Sequence, residues 1–96
     1  MRIDCAIEAP EAVTADVAVI GSGAAGQAAA RRLLAQGHSV LLMESGGTDH
    51  EEATNDFNRG EVVGQGYHPL DHSRLRFFGG TTAIWGGRCA EFEAID

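Results

Sequence analysis

The strongest constraint on what this chain can fold into lies in residues 16–44. There Asp-Val-Ala-Val-Ile-Gly-Ser-Gly-Ala-Ala-Gly leads through an alanine-rich stretch to Ser-Val-Leu-Leu-Met-Glu. Strand, glycine turn, helix, second strand and acid follow in the order that a dinucleotide-binding βαβ unit requires. Val17, Val19 and Ile20 form a β-branched run too short for a helix but sufficient for a buried parallel strand. Residues 39–43 form the second strand.

Gly21, Gly23 and Gly26 occupy the G-x-G-x-x-G positions, and each has its own task. Gly21 permits the tight turn, Gly23 lets backbone come close to a pyrophosphate, and Gly26 lets the helix lie on the strand. A branched residue at 23 would fill the approach path and disfavour positive φ. The helix predicted over residues 24–36 points its unpaired N–H groups and positive dipole end at the turn, where an anionic diphosphate fits. Ala25, Ala29 and Leu33, with Ala30 and Leu34 beside them, recur at helical spacing and mark its apolar stripe, and Gly37 ends it as the C′ residue. Glu44 stands at the end of the second strand, about 20 residues past the glycines, where a carboxylate accepts hydrogen bonds from a ribose diol. The same charge argues against a 2′-phosphate.

A net charge of −7 argues against nucleic acid or an anionic membrane as partner. No apolar run approaches the roughly 20 residues that span a bilayer. Residues 1–15 carry Asp4, Glu8, Pro10 and Glu11 without an apolar core, so they read as a leader rather than a secretory signal, and a cytoplasmic address is expected. Cys5 and Cys89 make no C-x-x-C pair and are expected as reduced, unpaired thiols, with Cys89 packed or half-buried. A βαβ unit needs further strands to cover its sheet edges, and only two parallel strands are evident. The chain also closes on Glu93-Ala94-Ile95-Asp96 without a capping element, so a piece of a larger protein is expected.

After the second strand, Thr48 followed by Glu51 makes a capping box that predicts a polar helix over residues 49–59, anchored by Phe57 and stopped at Gly60. Its acids, Asp49, Glu51, Glu52 and Asp56, read as a solvated face and not as a metal site. Residues 64–69 read as loop, and His38, His50, His68 and His72 show no metal-ligand spacing. Residues 75–88 are dense in what a cofactor wall needs. Gly79-Gly80 permits close backbone approach, Thr81 or Thr82 can cap a short helix, Trp85 offers a flat apolar surface and Gly86-Gly87 leaves room beside it. The competing reading is a tryptophan buried in a glycine-rich turn.

Together Gly21-Ser22-Gly23-Ala24-Ala25-Gly26, Glu44-Ser45-Gly46-Gly47 and Arg76-Phe77-Phe78-Gly79-Gly80-Thr81-Thr82-Ala83-Ile84-Trp85-Gly86-Gly87 resemble the N-terminal part of the glucose-methanol-choline (GMC) oxidoreductases, nearest the bacterial sugar dehydrogenase and pyranose oxidase-like branches. The resemblance covers nearly the whole chain after Thr14. It implies an α/β, Rossmann-like FAD-binding unit, incomplete, with a leader (1–15), βαβ core (16–47), connection (48–75) and second flavin-contacting segment (76–96), and no substrate domain. It implies that Gly21, Ser22, Gly23, Ala24, Ala25 and Gly26 hold the pyrophosphate and that Glu44 and Ser45 lie at the adenosine ribose. Arg76, Gly79, Gly80, Thr81, Thr82, Trp85, Gly86 and Gly87 then run along diphosphate and flavin. Pyranose oxidases carry, just before the tryptophan, a histidine bonded covalently to the flavin; Ile84 stands here, so dissociable FAD is expected. The implied reaction passes hydride from a sugar or alcohol to the flavin, but the family's catalytic base matches nothing in these residues, so none is assigned. Two rival readings remain open: a nicotinamide-binding Rossmann domain, which residues 79–87 disfavour, and a non-catalytic remnant or split subunit that pairs with a separate chain carrying the C-terminal portion. The 96-residue chain alone is expected neither to hold FAD tightly nor to turn over.

Overall fold

The structure is a computed structural model that describes residues 1–95; the last position of the segment 76–96, Asp96, lies outside them. Two strands, β1 (Val17–Ile20) and β2 (Val40–Met43), pair in parallel with Val17 opposite Val40 and Ile20 opposite Met43. Helix α1 (Ala24–Ala35) makes the crossover between them. This is the βαβ order expected from the β-branched runs and the glycine turn between them.

Both ends of the strand pair are fastened. At the entry, Asp16 Oδ2 accepts from Ser39 N (2.8 Å) and Ser39 Oγ (2.7 Å), while Asp16 N donates to Ser39 Oγ (2.9 Å). At the exit, Gly21 N donates to Met43 O at 2.7 Å. A one-residue slip would break both ends at once, so these contacts fix the register that the short strands alone would leave weak.

Helix α1 ends as a Schellman motif. Gly37 N donates to Leu34 O (3.0 Å), His38 N donates to Leu33 O (3.2 Å), and Gly37 holds φ +90°, where a side chain would be strained. The buried stripe of α1 is rotated from the expected one: Gly26, Ala30 and Leu33 turn inward, while Ala25, Ala29 and Leu34 are exposed. With alanine on several faces, apolar periodicity cannot set the phase of this helix. The contact of Gly26 on the turn sets it instead.

The apolar core is small. Among the described residues Ala30 is the one buried apolar side chain, and the outer face of the sheet leaves Ile20 86% exposed beside Met43. Burial is instead polar, at Ser22 and Asn55.

The polar helix expected over residues 49–59 is shorter and starts later. Helix α2 spans Glu52–Asn55 and runs into a 3₁₀ turn at Asp56–Asn58. No capping box forms: Glu51 occupies the N-cap without a side-chain bond to the helix backbone, and its carboxylate accepts from Thr54 Oγ1 (3.1 Å) instead. Phe57 is 78% exposed and anchors nothing. With no apolar face, this segment is held by amides: Asn55 Nδ2 donates to Asp71 O at 2.8 Å, and Asn55 Oδ1 accepts from Asn58 Nδ2 and Arg76 N. Residues 59–69 are loop, and a short helix α3 (Leu70–Ser73) follows Pro69. An Arg59–Asp71 ion pair at 3.1 Å ties α3 to the 3₁₀ turn.

Candidate functional site

Three segments separated in sequence converge at the carboxyl ends of β1 and β2. They are the glycine turn, residues 44–47 and residues 76–84. Convergence there follows the rule for open α/β sheets, whose ligands bind outside the carboxyl ends of the strands.

The turn behaves as two of its three glycines require. Gly21 has φ +97°, the left-handed conformation that opens the turn. At Gly26 a Cβ would drive into the Gly21 carbonyl oxygen, with the carbonyl carbon at 3.1 Å and Val19 Cγ1 at 3.5 Å, so helix and turn touch backbone to backbone. Gly23 departs from expectation in one respect. Its φ is −64° and its ψ 178°, an extended N-cap that any residue adopts, so positive φ is not why glycine stands there. A Cβ at Gly23 meets nothing within 4 Å, so no contact inside the protein requires glycine there either. Ala24 and Ala25 open the first turn of α1, both exposed, with the helix N-terminus facing the same opening.

Glu44 is held closely. Its Oε2 accepts from Ser22 N (2.8 Å) and Ser22 Oγ (2.7 Å), and its Oε1 from Ser45 N (2.9 Å), Ser45 Oγ (3.3 Å) and Gly46 N (3.2 Å). Burial pushes this carboxyl up, but the donors of Ser22, Gly46 and Ser45 together outweigh it and hold the group below the ordinary carboxylate range. A ribose diol reaching Glu44 would share it with these donors. Asp16 and Asp71 are lowered too, by the Ser39 hydroxyl and by the Arg59 guanidinium respectively.

For each of these three carboxylates the folded pKa lies below the unfolded one. Their stabilisation is therefore complete above the unfolded values, near pH 4, and is lost as pH falls through the folded values. Urea midpoints are expected to be level from pH 7 to about 5 and to fall steeply below about 4. A level profile down to pH 3 in a chain that is folded at pH 7 would contradict this.

The third segment lies against the first two. Gly79 N donates to Ser22 Oγ at 3.0 Å, Phe78 N to Gly47 O at 2.9 Å, and a Cβ on Gly80 would stand 3.7 Å from Gly23 Cα. Gly46 is crossed by the backbone of Arg76 and Phe77. Arg76 Nη1 donates to Ser45 Oγ (3.0 Å) and Nη2 to Asn58 Oδ1 (3.1 Å), while its Nε is buried without a partner. Gly79 (φ +95°) caps a 3₁₀ turn over Gly80–Ile84. The threonines therefore do not cap it, because that position demands the left-handed conformation; Thr81 Oγ1 instead accepts from Leu75 N at 3.1 Å.

Trp85 is 60% exposed, which removes the reading of a buried structural tryptophan. Gly86 and Gly87 are exposed, with nothing within 4 Å of either Cβ position. Cys89 is exposed, not half-buried as expected, and so is Cys5.

Two hollows border this junction. One, of about 500 Å³, is lined by Gly21, Glu44, Ser45, Asn58, Arg76 and Thr81 among others. The other, of about 460 Å³, lies between α1 (Ala24, Gln27, Arg31) and the 3₁₀ turn (Gly79, Thr82, Ala83). Asn55 and Asn58 were missed by the sequence reading, since isolated asparagines in a polar stretch carry no periodic or motif signal. Among the described residues no cluster of three or more His, Cys, Asp or Glu could hold a metal, and no helix is long and apolar enough to cross a membrane.

The arrangement fits an anionic dinucleotide. Open space at Gly23 faces a helix N-terminus, and the Arg76 Nε is an unpaired buried donor beside the Glu44 hollow. Among known proteins, the family model described as FAD dependent oxidoreductase (DAO) matches residues 16–96. No curated protein and no solved structure gives a match.

Proposed function

The chain belongs to the FAD-dependent oxidoreductase (DAO) family, with FAD as its cofactor, and from that premise we propose that it forms the FAD-binding part of an enzyme that oxidises CH–OH groups of sugars or alcohols, in the manner of the glucose-methanol-choline oxidoreductases. The nicotinamide reading gives way to the family's flavin. The donor class rests on the resemblance of residues 76–87; what supports the cofactor-binding part most is the seating of the second glycine motif on the first turn, Gly79 N on Ser22 Oγ and Gly80 against Gly23. That contact makes one two-walled cleft of segments that sequence leaves far apart.

In this reading the turn and the N-terminus of α1 hold the diphosphate, Glu44 and Ser45 border the ribose, and residues 76–87 flank diphosphate and flavin. FAD, when bound, supplies the hydride acceptor. The cofactor is held without a covalent bond, since Ile84 stands at the attachment position of the resembling enzymes and an alkyl side chain offers no nucleophile. We place the protein in the cytoplasm, with the domain limits 1–15, 16–47, 48–75 and 76–96, and with a sugar or alcohol as small-molecule partner. Residues 1–96 by themselves hold FAD weakly, because so small a buried core offsets little of the ordering cost, and turn nothing over, because no histidine lines either hollow to take the hydroxyl proton. A C-terminal portion, in the same or a separate chain, would supply it.

The test is release and donor class. Acid or heat denaturation of the full-length protein is expected to free all FAD into the supernatant. Dye reduction is expected with sugars and alcohols and not with amines or amino acids. Yellow colour that stays with the precipitate would refute the dissociable cofactor, and reduction by amines alone would refute the CH–OH donor.

A further inference from the structure

Ser22 sits in the turn at a position where the glycine motif places no requirement. Yet it is the largest fully buried side chain of the described residues, at 0% exposure. Its hydroxyl has one proton to donate and lone pairs to accept with. The proton goes to Glu44 Oε2 at 2.7 Å, and a lone pair takes the Gly79 N–H at 3.0 Å, across 57 positions of sequence. Its backbone N–H also goes to Glu44 Oε2, at 2.8 Å, and its carbonyl oxygen accepts from Gln27 Nε2 at 2.7 Å. Every polar group of the residue is therefore engaged by protein, and no ligand atom reaches the hydroxyl while these contacts stand.

We propose that Ser22 is a positioning residue, not a cofactor ligand: its hydroxyl joins the Gly79 amide to the Glu44 carboxylate and so sets the spacing between the two walls of the cleft before FAD enters. This rests on the FAD reading of the site. Other contacts, at Gly46 and Gly47, fix the second wall to the exit of β2. Ser22 is the side chain that fastens that wall to the glycine turn itself. A wall set in advance lowers the ordering cost that binding would otherwise carry. Were serine present only for its size at a crowded turn, alanine would serve equally well.

The test is Ser22→Ala in the full chain, read first by residue-resolved hydrogen exchange without cofactor. In the parent the Gly79 amide is expected to be protected. In the variant it exchanges about tenfold faster or more, while the Gly21 and His38 amides, bonded to Met43 O and Leu33 O, keep their parent rates. FAD affinity from flavin fluorescence is expected to fall roughly ten- to a hundredfold, the loss of the hydroxyl's two hydrogen bonds, one of them to a charged group. Unchanged exchange at Gly79, or acceleration spread evenly over all three amides, overturns the proposal. If the variant does not fold, the parent decides: a Gly79 amide exchanging like an unstructured glycine overturns it. A parent that binds no FAD refutes the functional reading alone, and the exchange result still decides the role of Ser22.

Discussion

Gly26→Ala is expected to give no folded protein, whereas Gly23→Val is expected to fold and to lose FAD. The two glycines belong to one motif, and the structure separates them by what a side chain would meet. At position 26 the first added carbon collides with the Gly21 carbonyl oxygen and lies 3.1 Å from its carbon. That carbonyl cannot retreat cheaply, because the same residue is fixed by its N–H to Met43 O at 2.7 Å and by its left-handed φ. Ordinary overpacking costs about 1–3 kcal/mol when side chains yield. Here backbone must yield on both sides, where the buried apolar core of the described residues is Ala30. At position 23 the φ of −64° is ordinary and an added Cβ meets nothing within 4 Å, so folding is expected to survive the substitution. Valine there fills the volume that the diphosphate would use. Soluble yield and far-UV circular dichroism read the first outcome, and the ratio of visible to ultraviolet absorbance reads the second. Flavin occupancy equal to the parent in Gly23→Val would show that the open space at the turn is not the cofactor's path.

Legibility in the sequence followed the source of the constraint. The βαβ unit was readable because its determinants are local: β-branched runs for the strands, glycines where φ or contact demands them, and a Gly37 whose Schellman bonds were implied by its position. The roles of Gly21 and Gly26 were readable for the same reason. The rotation of α1 was not, because alanines at 24, 25, 28, 29 and 30 make every face nearly alike, and the inward face is chosen by the contact of Gly26 on Gly21. Residues 48–75 were misread where local signals competed with tertiary ones. Thr48 and Glu51 look like a cap, but what positions this stretch is Asn55, bonded to Asp71 and to Arg76 far along the chain. The glycines of the second motif were legible as points of close backbone approach, but the detail of that segment was not. Its capping position needs positive φ, which glycine supplies and threonine does not.

The same reasoning singles out Gly46, a residue outside the dinucleotide fingerprint. Gly46→Ala is expected to detach the second wall and to lower FAD affinity at least a hundredfold while the strand pair and α1 persist. An added Cβ there would overlap the Arg76 carbonyl oxygen and lie 2.6 Å from the Arg76 carbonyl carbon and 2.7 Å from Phe77 Cα. The obstacle is backbone on every side, so the two segments must move apart. Separation strips the Phe78 N bond to Gly47 O and the Arg76 bond to Ser45, and it draws Gly79 away from Ser22 in the neighbouring turn, since residues 76–79 are continuous chain. At about 1 kcal/mol for each neutral hydrogen bond and more where a charged group takes part, the summed loss exceeds the 2.7 kcal/mol or so that a hundredfold change in affinity represents. Gly47→Ala is the internal control. Its Cβ would come 3.2 Å from Glu51 Oε1, the end of a flexible exposed side chain that can swing away. Flavin fluorescence titration of both variants, beside circular dichroism in the far ultraviolet, decides the matter. Retained affinity in Gly46→Ala would mean that the cofactor is held by the glycine turn alone, and an equal loss in Gly47→Ala would mean that the loop is sensitive to any added bulk.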